Sequence, residues 1–392
     1  MDLTSRKLNN IAKLNQNKIG FSSKSSNSII EGGNYNTLLM TLLVVGTVFL
    51  LLLMLLSKKF RVGRTLSSMD IYIKFQNIQS MKPALLKDYR LCDFYVCSSY
   101  NTALSGTQLC DYVSSEMVKK VLQTGARYLE FQVFGDQYGP DAEPVVSSGF
   151  RKGEWKFSLN TLYLEEVFKT IRDNAFRIYD GVDGSPNNLD PLFISLDLKT
   201  NYNYFVNNKI QKLFSKYFIE YLLDPSYNYQ AKNIGLVPLK DLMGKVIIFS
   251  SDGFQGSTLE ELVNYSWIFS KMKRFHYTEL DDQLTQDNSS SVNSTTPKIV
   301  DITQKNIDKQ LEITKNQIEY NQITKFNLTG LSIVYPHNEG NILTSNYDPT
   351  NAWNLGCQFV LMNFQKMDTS MDKYINKFRN KAFILKPQSL RV

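Results

Sequence analysis

The stretch that decides the fold is Cys97 to Leu109, C-S-S-Y-N-T-A-L-S-G-T-Q-L. It follows an apolar run, residues 91–96, that has the composition of a buried strand, and it opens onto a predicted helix. In an α/β barrel, polar loops at the carboxyl ends of strands carry the site residues. Tyr100 and Asn101 are therefore the first candidate site residues.

From about residue 88 onwards, β-rich runs alternate with amphipathic helices, which is the pattern of βα units around a parallel sheet. Gly125 is expected to end a helix over residues 115–124, because glycine is favoured just past a helix end. The predicted strands are 91–96, 128–134, 144–147, 192–198, 246–250, 331–335 and 358–364.

An uncharged apolar run extends from Leu38 to Leu56. At about 1.5 Å per residue it is long enough to cross a hydrocarbon core of about 30 Å, so residues 36–57 are predicted to form a transmembrane helix in the bilayer. A cleaved signal peptide fits less well, because a long polar segment precedes the run and no small-residue cleavage site follows it. The basic cluster just after the run favours a single-pass protein with its barrel facing the cytosol; the cluster is Lys58, Lys59, Arg61 and Arg64.

Three segments lack the pattern of a packed core. Residues 1–35 are rich in Ser, Asn and Lys without apolar periodicity, which predicts a disordered polar tail. Residues 58–87 are interpreted as a basic linker. Residues 281–297, D-D-Q-L-T-Q-D-N-S-S-S-V-N-S-T-T-P, are predicted to be a mobile polar insert.

The composition limits the function classes. With 392 residues and 43% hydrophobic content, the chain can bury one barrel-sized core. The formal charge of +7 comes without a Lys/Arg stripe interleaved with aromatics, so nucleic acid is not an expected partner. The four cysteines form no CxxC motif and are interpreted as core thiols of a reducing compartment. The Asn, Lys, Ile and Tyr bias leaves a viral internal membrane open as the location.

Several motifs in a fixed order resemble the catalytic barrel of phosphoinositide-specific phospholipase C. They are Y-N-T-A-L-S-G-T-Q-L, R-Y-L-E-F-Q-V-F, L-S-I-V-Y-P and S-N-Y-D-P-T-N-A-W-N-L-G-C-Q-F-V-L-M-N-F-Q. The resemblance implies a distorted (β/α)8 barrel of the TIM type. It also implies an X-like half at residues 88–257 and a Y-like half at 258–392.

The family is one of phosphoric diester hydrolases, and its reaction is attack of the inositol 2-hydroxyl on the neighbouring phosphodiester, which releases diacylglycerol. Two histidines and a calcium ion supply the acid, the base and the positive charge. By resemblance, the first histidine falls on Tyr100, whose unperturbed pKa of about 10 leaves it neutral. The second falls on Ser148, whose hydroxyl is too weak an acid to protonate the leaving group.

The family's calcium ligands are Asn, Glu, Asp and Glu. Asn101 and Glu130 match, Gln132 replaces the aspartate, and Asp197 replaces the second glutamate with a side chain one methylene shorter. Calcium affinity depends on carboxylate number and reach, so we expect no cofactor, or a weak calcium site at most.

The resemblance also implies that fewer residues are available to recognise a headgroup. Tyr335, at the family's ring-stacking position, and Asn101 are the candidate substrate-binding residues. The family's arginine in that motif falls on Ile333, and its lysines fall near Phe249 and Ser251. Binding of phosphoinositide headgroups is therefore expected to be weak.

Histidine is scarce: the chain contains only His276 and His337. His276 is interpreted as a structural side chain. His337 follows Tyr335 at the predicted barrel mouth and remains a candidate catalytic residue together with Glu130 and Asp197.

The leading hypothesis is a membrane-anchored, phospholipase C-like pseudoenzyme that acts as a scaffold or a weak lipid-surface binder. One alternative is an active phosphodiesterase that hydrolyses phosphatidylinositol lipids to diacylglycerol and inositol phosphate with altered catalytic residues. A second alternative is a purely structural membrane protein that packs against protein partners.

Overall fold

The computed structural model describes residues 28–149, 155–267, 272–280, 322–336 and 345–392. The chain divides into two units, Met1–Phe60 and Arg61–Val392. The predicted mobile insert at 281–297 and the candidate His337 lie outside the described residues.

The described part of the first unit is helical. Helix α1 spans Ser28–Phe75, and its apolar stretch over residues 38–53 is exposed almost throughout. Among the described residues it is the one helix that is long and apolar enough to cross a membrane. Helix α1 begins at Ser28 and so overlaps the end of the tail predicted over residues 1–35. The chain has no proline before Pro83 to interrupt a helix.

The segment predicted as a basic linker, residues 58–87, is helical as far as Phe75. Val62 and Met69 in this portion are buried, and Leu66 and Tyr72 pack against the core of the second unit. These residues recur at helical spacing, so burial of one face stabilises the helix beyond the apolar run.

The second unit is built around a curled parallel sheet. Its strands are β1 (Phe94–Ser99), β2 (Tyr128–Gly135), β5 (Leu192–Leu198), β6 (Val246–Ser250), β7 (Tyr265–Ser266), β8 (Met272–His276), β9 (Leu331–Tyr335) and β10 (Phe359–Met362). Their hydrogen-bonded order is β7-β6-β5-β2-β1-β10-β9-β8, and every neighbouring pair in that order is parallel. The predicted TIM-type α/β barrel is confirmed.

Three short strands and several further helices also lie in the described part of this unit. Strand β11 (Phe383–Leu385) pairs antiparallel with β1, while β3 (Pro144–Val146) pairs with both β2 and β4 (Leu162–Tyr163). The helices are α2 (Ser115–Gln123), α3 (Leu164–Ala175), α4 (Tyr204–Phe218), α5 (Thr350–Asn354) and α6 (Thr369–Lys377). Gly125 follows α2 with φ +81°, as the sequence predicted.

Aromatic side chains fill the barrel below its carboxyl-terminal end. Tyr128, Phe193, Phe249 and Phe359 point inward from four strands and are buried, with ring centroids 4.7–6.3 Å apart. Such a layer fills the barrel below the mouth, where the candidate site residues are expected.

The strand predictions fail where polarity masks the pattern. The run at 91–96 begins as a short 3-10 helix, Leu91–Asp93, and the strand starts only at Phe94. Strands β4, β7, β8 and β11 were not predicted, because they are short or carry charges. One of the four cysteines, Cys110, is exposed rather than a core thiol, whereas Cys92, Cys97 and Cys357 are buried.

Candidate functional site at the barrel mouth

Strand β1 delivers Tyr100 and Asn101 to the barrel mouth. All six residues of β1 are buried, and the chain turns directly after it, with Asn101 in the left-handed region at φ +39°. Asparagine tolerates this conformation better than most residues. The amide of Tyr100 donates to the Met362 carbonyl (2.9 Å) and that of Thr102 donates to the Glu130 carbonyl (2.9 Å). The turn is therefore fixed against both neighbouring strands.

Amide side chains connect the two family histidine positions to the rest of the mouth. Ser148 Oγ and Asn101 Nδ2 both donate to Gln108 Oε1, at 3.0 and 2.8 Å. Gln132 Nε2 donates to Tyr100 Oη at 3.5 Å, and its Oε1 accepts from the Gly149 amide at 2.9 Å. The groups at the histidine positions are thus buried neutral hydroxyls bonded to neutral amides.

A buried ion pair crosses the mouth from β8 to β2. Arg274 Nη1 lies 2.6 Å from Glu130 Oε2, and Nη2 lies 3.0 Å from Glu130 Oε1. The Glu130 side chain is 0% exposed and that of Arg274 is 13% exposed. This bidentate geometry occupies both carboxylate oxygens with two charge-assisted hydrogen bonds.

Two aromatic rings cover the Arg274 guanidinium. Its central carbon lies 4.3 Å from the Tyr335 ring centroid and 4.6 Å from that of Trp267. Tyr335 also stacks on Tyr100, with centroids 6.4 Å apart, and receives the edge of His276 at 5.5 Å. Tyr335 is therefore engaged by side chains of this chain on several sides.

The second carboxylate of the mouth has its own cation. Asp197 Oδ2 lies 3.0 Å from Lys199 Nζ, and both side chains are largely buried. In the register of β2 and β5, Asp197 lies beside Gln132, two residues along from Glu130. The mouth therefore pairs two acidic groups with two basic groups.

Burial and pairing both act on the ionisation of Glu130 and Arg274. Burial raises the pKa of Glu130 above its ordinary value, and the attraction and hydrogen bonds of Arg274 oppose that rise. Burial alone would lower the pKa of Arg274, but the Glu130 carboxylate holds that pKa above its ordinary value. Arginine stays protonated in proteins, so Arg274 keeps its positive charge beside Glu130.

The four residues matched to calcium ligands do not fit a calcium ion in this arrangement. Both oxygens of Glu130 bind Arg274, and Asp197 binds Lys199. Gln132 is engaged with Tyr100 and Gly149. Calcium needs six to eight oxygen ligands, and the described residues contain no cluster of three acidic, histidine or cysteine side chains suited to a metal.

The space between the matched residues is small. A cavity bordered by Asn101, Gln132 and Ser148, together with apolar side chains of the first half, is too narrow to admit a water molecule. Pockets for small molecules usually enclose about 300–1,000 Å³. This cavity is therefore too small for a phosphorylated inositol ring.

Sequence reasoning identified most of the residues gathered at the mouth but missed Arg274. Asn101, Glu130, Gln132, Ser148, Asp197 and Tyr335 lie there with Tyr100, as their positions after or within strands predicted. Arg274 lies 144 residues from Glu130 in sequence, and its strand was not predicted. A signal was present in M-K-R-F-H, because Met272, Arg274 and His276 are two residues apart and would share one face of a strand.

Two family models match this chain. The phosphatidylinositol-specific phospholipase C X domain matches residues 87–252, and the Y domain of the same family matches residues 271–389.

Curated relatives cover the same region of the chain. The chain is 26% identical over 332 residues to 1-phosphatidylinositol 4,5-bisphosphate phosphodiesterase delta-1 of Rattus norvegicus, a match that covers 78% of this chain and 41% of the relative. It is 24% identical over 364 residues to the beta-2 phosphodiesterase of Homo sapiens, covering 76% of this chain and 29% of the relative. The chain thus spans less than half the length of these relatives.

Solved structures support the fold. PLC21 of S. officinalis superposes with a TM-score of 0.57 at 22% identity, and PLC21 of L. pealei with 0.56 at 21% identity. Each match covers 78% of this chain and 38% of the other. With both halves matched in order over the strands that form the mouth, this chain belongs to the phosphatidylinositol-specific phospholipase C family.

Proposed function

We propose that this chain is a membrane-anchored, phospholipase C-like protein whose barrel does not hydrolyse phosphoinositides and acts as a scaffold or a weak lipid-surface binder. The proposal joins three parts, which are loss of catalysis, anchoring by α1, and contact of the barrel rim with lipid. Each part has its own supporting observation.

The loss of proton carriers is the observation that carries the proposal. Hydrolysis of this kind needs a base for the attacking hydroxyl and an acid for the leaving alkoxide. Tyr100 is fully buried and Ser148 nearly so, and their hydroxyls are bonded to the amides of Gln132 and Gln108. Neither a phenol nor an aliphatic hydroxyl supplies the acid–base function near neutral pH that an imidazole provides.

Anchoring is supported by the exposed apolar surface of α1. A helix that exposes leucine, valine and phenylalanine continuously over residues 38–53 requires a nonaqueous surrounding. The basic residues Lys58, Lys59 and Arg61 follow directly, which favours an orientation with the barrel in the cytosol.

Lipid contact is supported by exposed aromatic residues on loops and at the start of α4, at the carboxyl-terminal end of the barrel. These residues, here called the rim aromatics, are Tyr138, Trp155, Tyr202, Tyr204 and Phe205. Asn203 Nδ2 donates to the Gly139 carbonyl (3.2 Å), which joins two of the loops. Tyrosine and tryptophan are favoured at the interface between lipid and water, where a ring is buried and its polar group stays wet.

Hydrolysis is tested with the full chain reconstituted in vesicles that contain phosphatidylinositol or its 4,5-bisphosphate. Release of water-soluble inositol phosphates is measured with calcium and with a chelator. We expect the release to equal that of protein-free vesicles under both conditions. Turnover by the wild-type chain that is lost in Glu130→Ala, or in the nearly isosteric Tyr100→Phe, would refute the proposal.

One observation favours an active phosphodiesterase as the second candidate. His276 lies at the end of β8 with its ring edge against Tyr335, and its Nδ1 is 2.6 Å from Thr278 Oγ1. An imidazole is therefore present near the mouth. If the vesicle assay detects turnover, His276→Ala and His337→Ala identify the histidine responsible, since these are the only two in the chain.

A further inference from the structure

The charges of the barrel mouth are balanced by residues of this chain. Glu130 and Asp197 lie on adjacent strands, and each carboxylate contacts one basic side chain, Arg274 or Lys199. A buried carboxylate without a compensating cation is strongly unfavourable. Each of the two carboxylates at the mouth therefore has a compensating cation from this chain, and no added ion is needed.

The position of Arg274 is defined by hydrogen bonds and by two aromatic rings. Two hydrogen bonds to Glu130 fix the guanidinium edge, and the rings of Trp267 and Tyr335 lie within 4.6 Å of its central carbon. Strand β8 lies four places from β2 in the sheet order, so the side chain reaches across the mouth. A contact held in this way excludes another cation from the oxygens of Glu130.

One acceptor at the mouth has no hydrogen-bond donor among the described residues. Asn101 is 5% exposed, its Nδ2 donates to Gln108, and its Oδ1 is unsatisfied. The neighbouring Thr102 amide donates to the carbonyl of Glu130, so this turn lies against the strand that carries the ion pair. Leaving a buried acceptor unsatisfied costs about 1–3 kcal/mol, and a bound cation would remove that cost.

We propose that the Arg274 guanidinium takes the place of a divalent cation at Glu130, and that Asn101, Glu130 and Asp197 form a latent cation site that Arg274 blocks. The ligands are hard oxygens with two carboxylates, which suits calcium with an affinity near the weak, millimolar end. In the wild-type chain the counter-charge at Glu130 is therefore permanent and needs no metal.

The test is a calcium chloride titration of the full chain in detergent micelles, followed by calorimetry and by thermal unfolding. We expect no saturable binding by the wild-type chain up to about 10 mM calcium. Arg274→Ala should bind saturably, and its unfolding temperature should rise with calcium concentration, because a ligand of the folded state stabilises it. Adding Glu130→Gln to Arg274→Ala should abolish the binding.

Arg90→Ala is the matched control. Arg90 also pairs with a buried carboxylate, Asp93 at 3.1 Å, but it lies before β1 and away from the mouth. We expect its removal to create no calcium site. Saturable binding by the wild-type chain that is lost in Glu130→Gln, or no binding by a folded Arg274→Ala chain, would overturn the proposal.

A second measurement applies if Arg274→Ala does not fold. In that case Glu130→Gln, Arg274→Gln and the double variant are compared by urea unfolding. We expect the double variant to be more stable than either single variant, because neither change then leaves a buried charge unpaired. A Glu130→Gln chain as stable as the wild type would contradict the proposal.

The inference does not rest on the absence of catalysis. Turnover that persists in a chelator would refute the proposed function and leave this proposal intact. Calcium binding at Glu130 by an inert wild-type chain would refute this proposal and leave the proposed function intact.

Discussion

Two buried arginines, Arg127 and Arg274, lie at opposite ends of the barrel and are satisfied in different ways. Arg127 precedes β2 and is completely buried; it donates to the carbonyls of Ala175 and Asn187 and to Ser185 Oγ. Arg274 lies at the mouth and is satisfied by one carboxylate and two rings.

The difference separates an arginine with a structural role from an arginine that lies at the candidate site. Burial lowers the pKa of Arg127 to about 10, and the nearby Asp190 only partly opposes this effect. The pKa of Arg274 is instead held above its ordinary value by Glu130. Arg127 fastens the loop after α3, as expected for the amino-terminal face of a barrel, whereas Arg274 neutralises a carboxylate at the face where such barrels carry chemistry.

The largest effect is expected at Arg127. Arg127→Ala leaves two buried carbonyls and a hydroxyl without their donor, at about 1–3 kcal/mol each, so we expect a loss of about 4 kcal/mol or more in the free energy of unfolding. Urea unfolding of the full chain in micelles measures it. Arg127→Lys keeps the charge but not the planar fork, so it should recover only part of the lost free energy of unfolding. If Arg127→Ala lost less free energy of unfolding than Arg274→Ala, the expected order of the two arginines would be reversed.

The pH dependence of stability should reveal the partner of Arg127. Burial raises the pKa of Asp190 to about 6, against the opposing effects of Arg127, Lys381, the Met81 amide and Asn187. Because the folded state binds this proton more tightly than the unfolded state, protonation of Asp190 favours folding. Its contribution is fully present below about pH 4 and is lost as the pH rises through 6.

We therefore compare the wild-type chain with Asp190→Asn, whose side chain does not titrate. The stability of the wild type relative to this variant should fall between pH 4 and pH 7 by up to about 3 kcal/mol, the equivalent of the shift from 3.8. Urea unfolding at intervals of pH measures the difference. A constant or rising difference would show that Asp190 does not titrate in this way.

A smaller effect is expected at the ring that covers Arg274. Tyr335→Ala removes a cation–π contact and the packing against Tyr100 and His276, and we expect a loss of about 2 kcal/mol from a half-buried side chain. Tyr335→Phe keeps the ring and should stay within about 0.5 kcal/mol of the wild type. Equal stability of the Ala and wild-type chains would mean that the guanidinium does not depend on this ring.

The rim aromatics should respond in lipid binding rather than in stability. Trp155 is strongly exposed, whereas Trp353 is buried and Trp267 covers Arg274. Brominated lipids in the vesicles should quench the tryptophan fluorescence of the barrel. Most of this quenching should disappear in Trp155→Phe and persist in Trp353→Phe. The same quenching in both variants would argue against contact of this rim with lipid.

The sequence predicted the strands whose composition is uniform. The strands at 192–198, 246–250 and 331–335 have the predicted bounds, because runs of β-branched and aromatic residues give an unambiguous signal. Strand β8 was missed, because two charged residues interrupt its apolar pattern. The helical extension to Phe75 was missed, because the basic cluster hides the buried face formed by Val62 and Met69.

The candidate site was predictable as a set of positions but not as a set of contacts. Motif spacing identified Tyr100, Glu130 and Ser148, since each follows or lies in a recognisable strand. Their partners could not be inferred, because Gln108 reaches two of the loops and Arg274 comes from a strand in the other half of the barrel. Contacts between distant segments depend on how the sheet curls, which no local pattern encodes.

The positive charge beside Glu130 belongs to a side chain of the protein, Arg274, and therefore does not depend on the ions around it. An arginine held by hydrogen bonds cannot diffuse away, be chelated, or vary in concentration with the state of the cell. Calcium transients that load and unload a weak metal site would leave this barrel unchanged. The conformation of its mouth should accordingly be the same at low and at high calcium concentration.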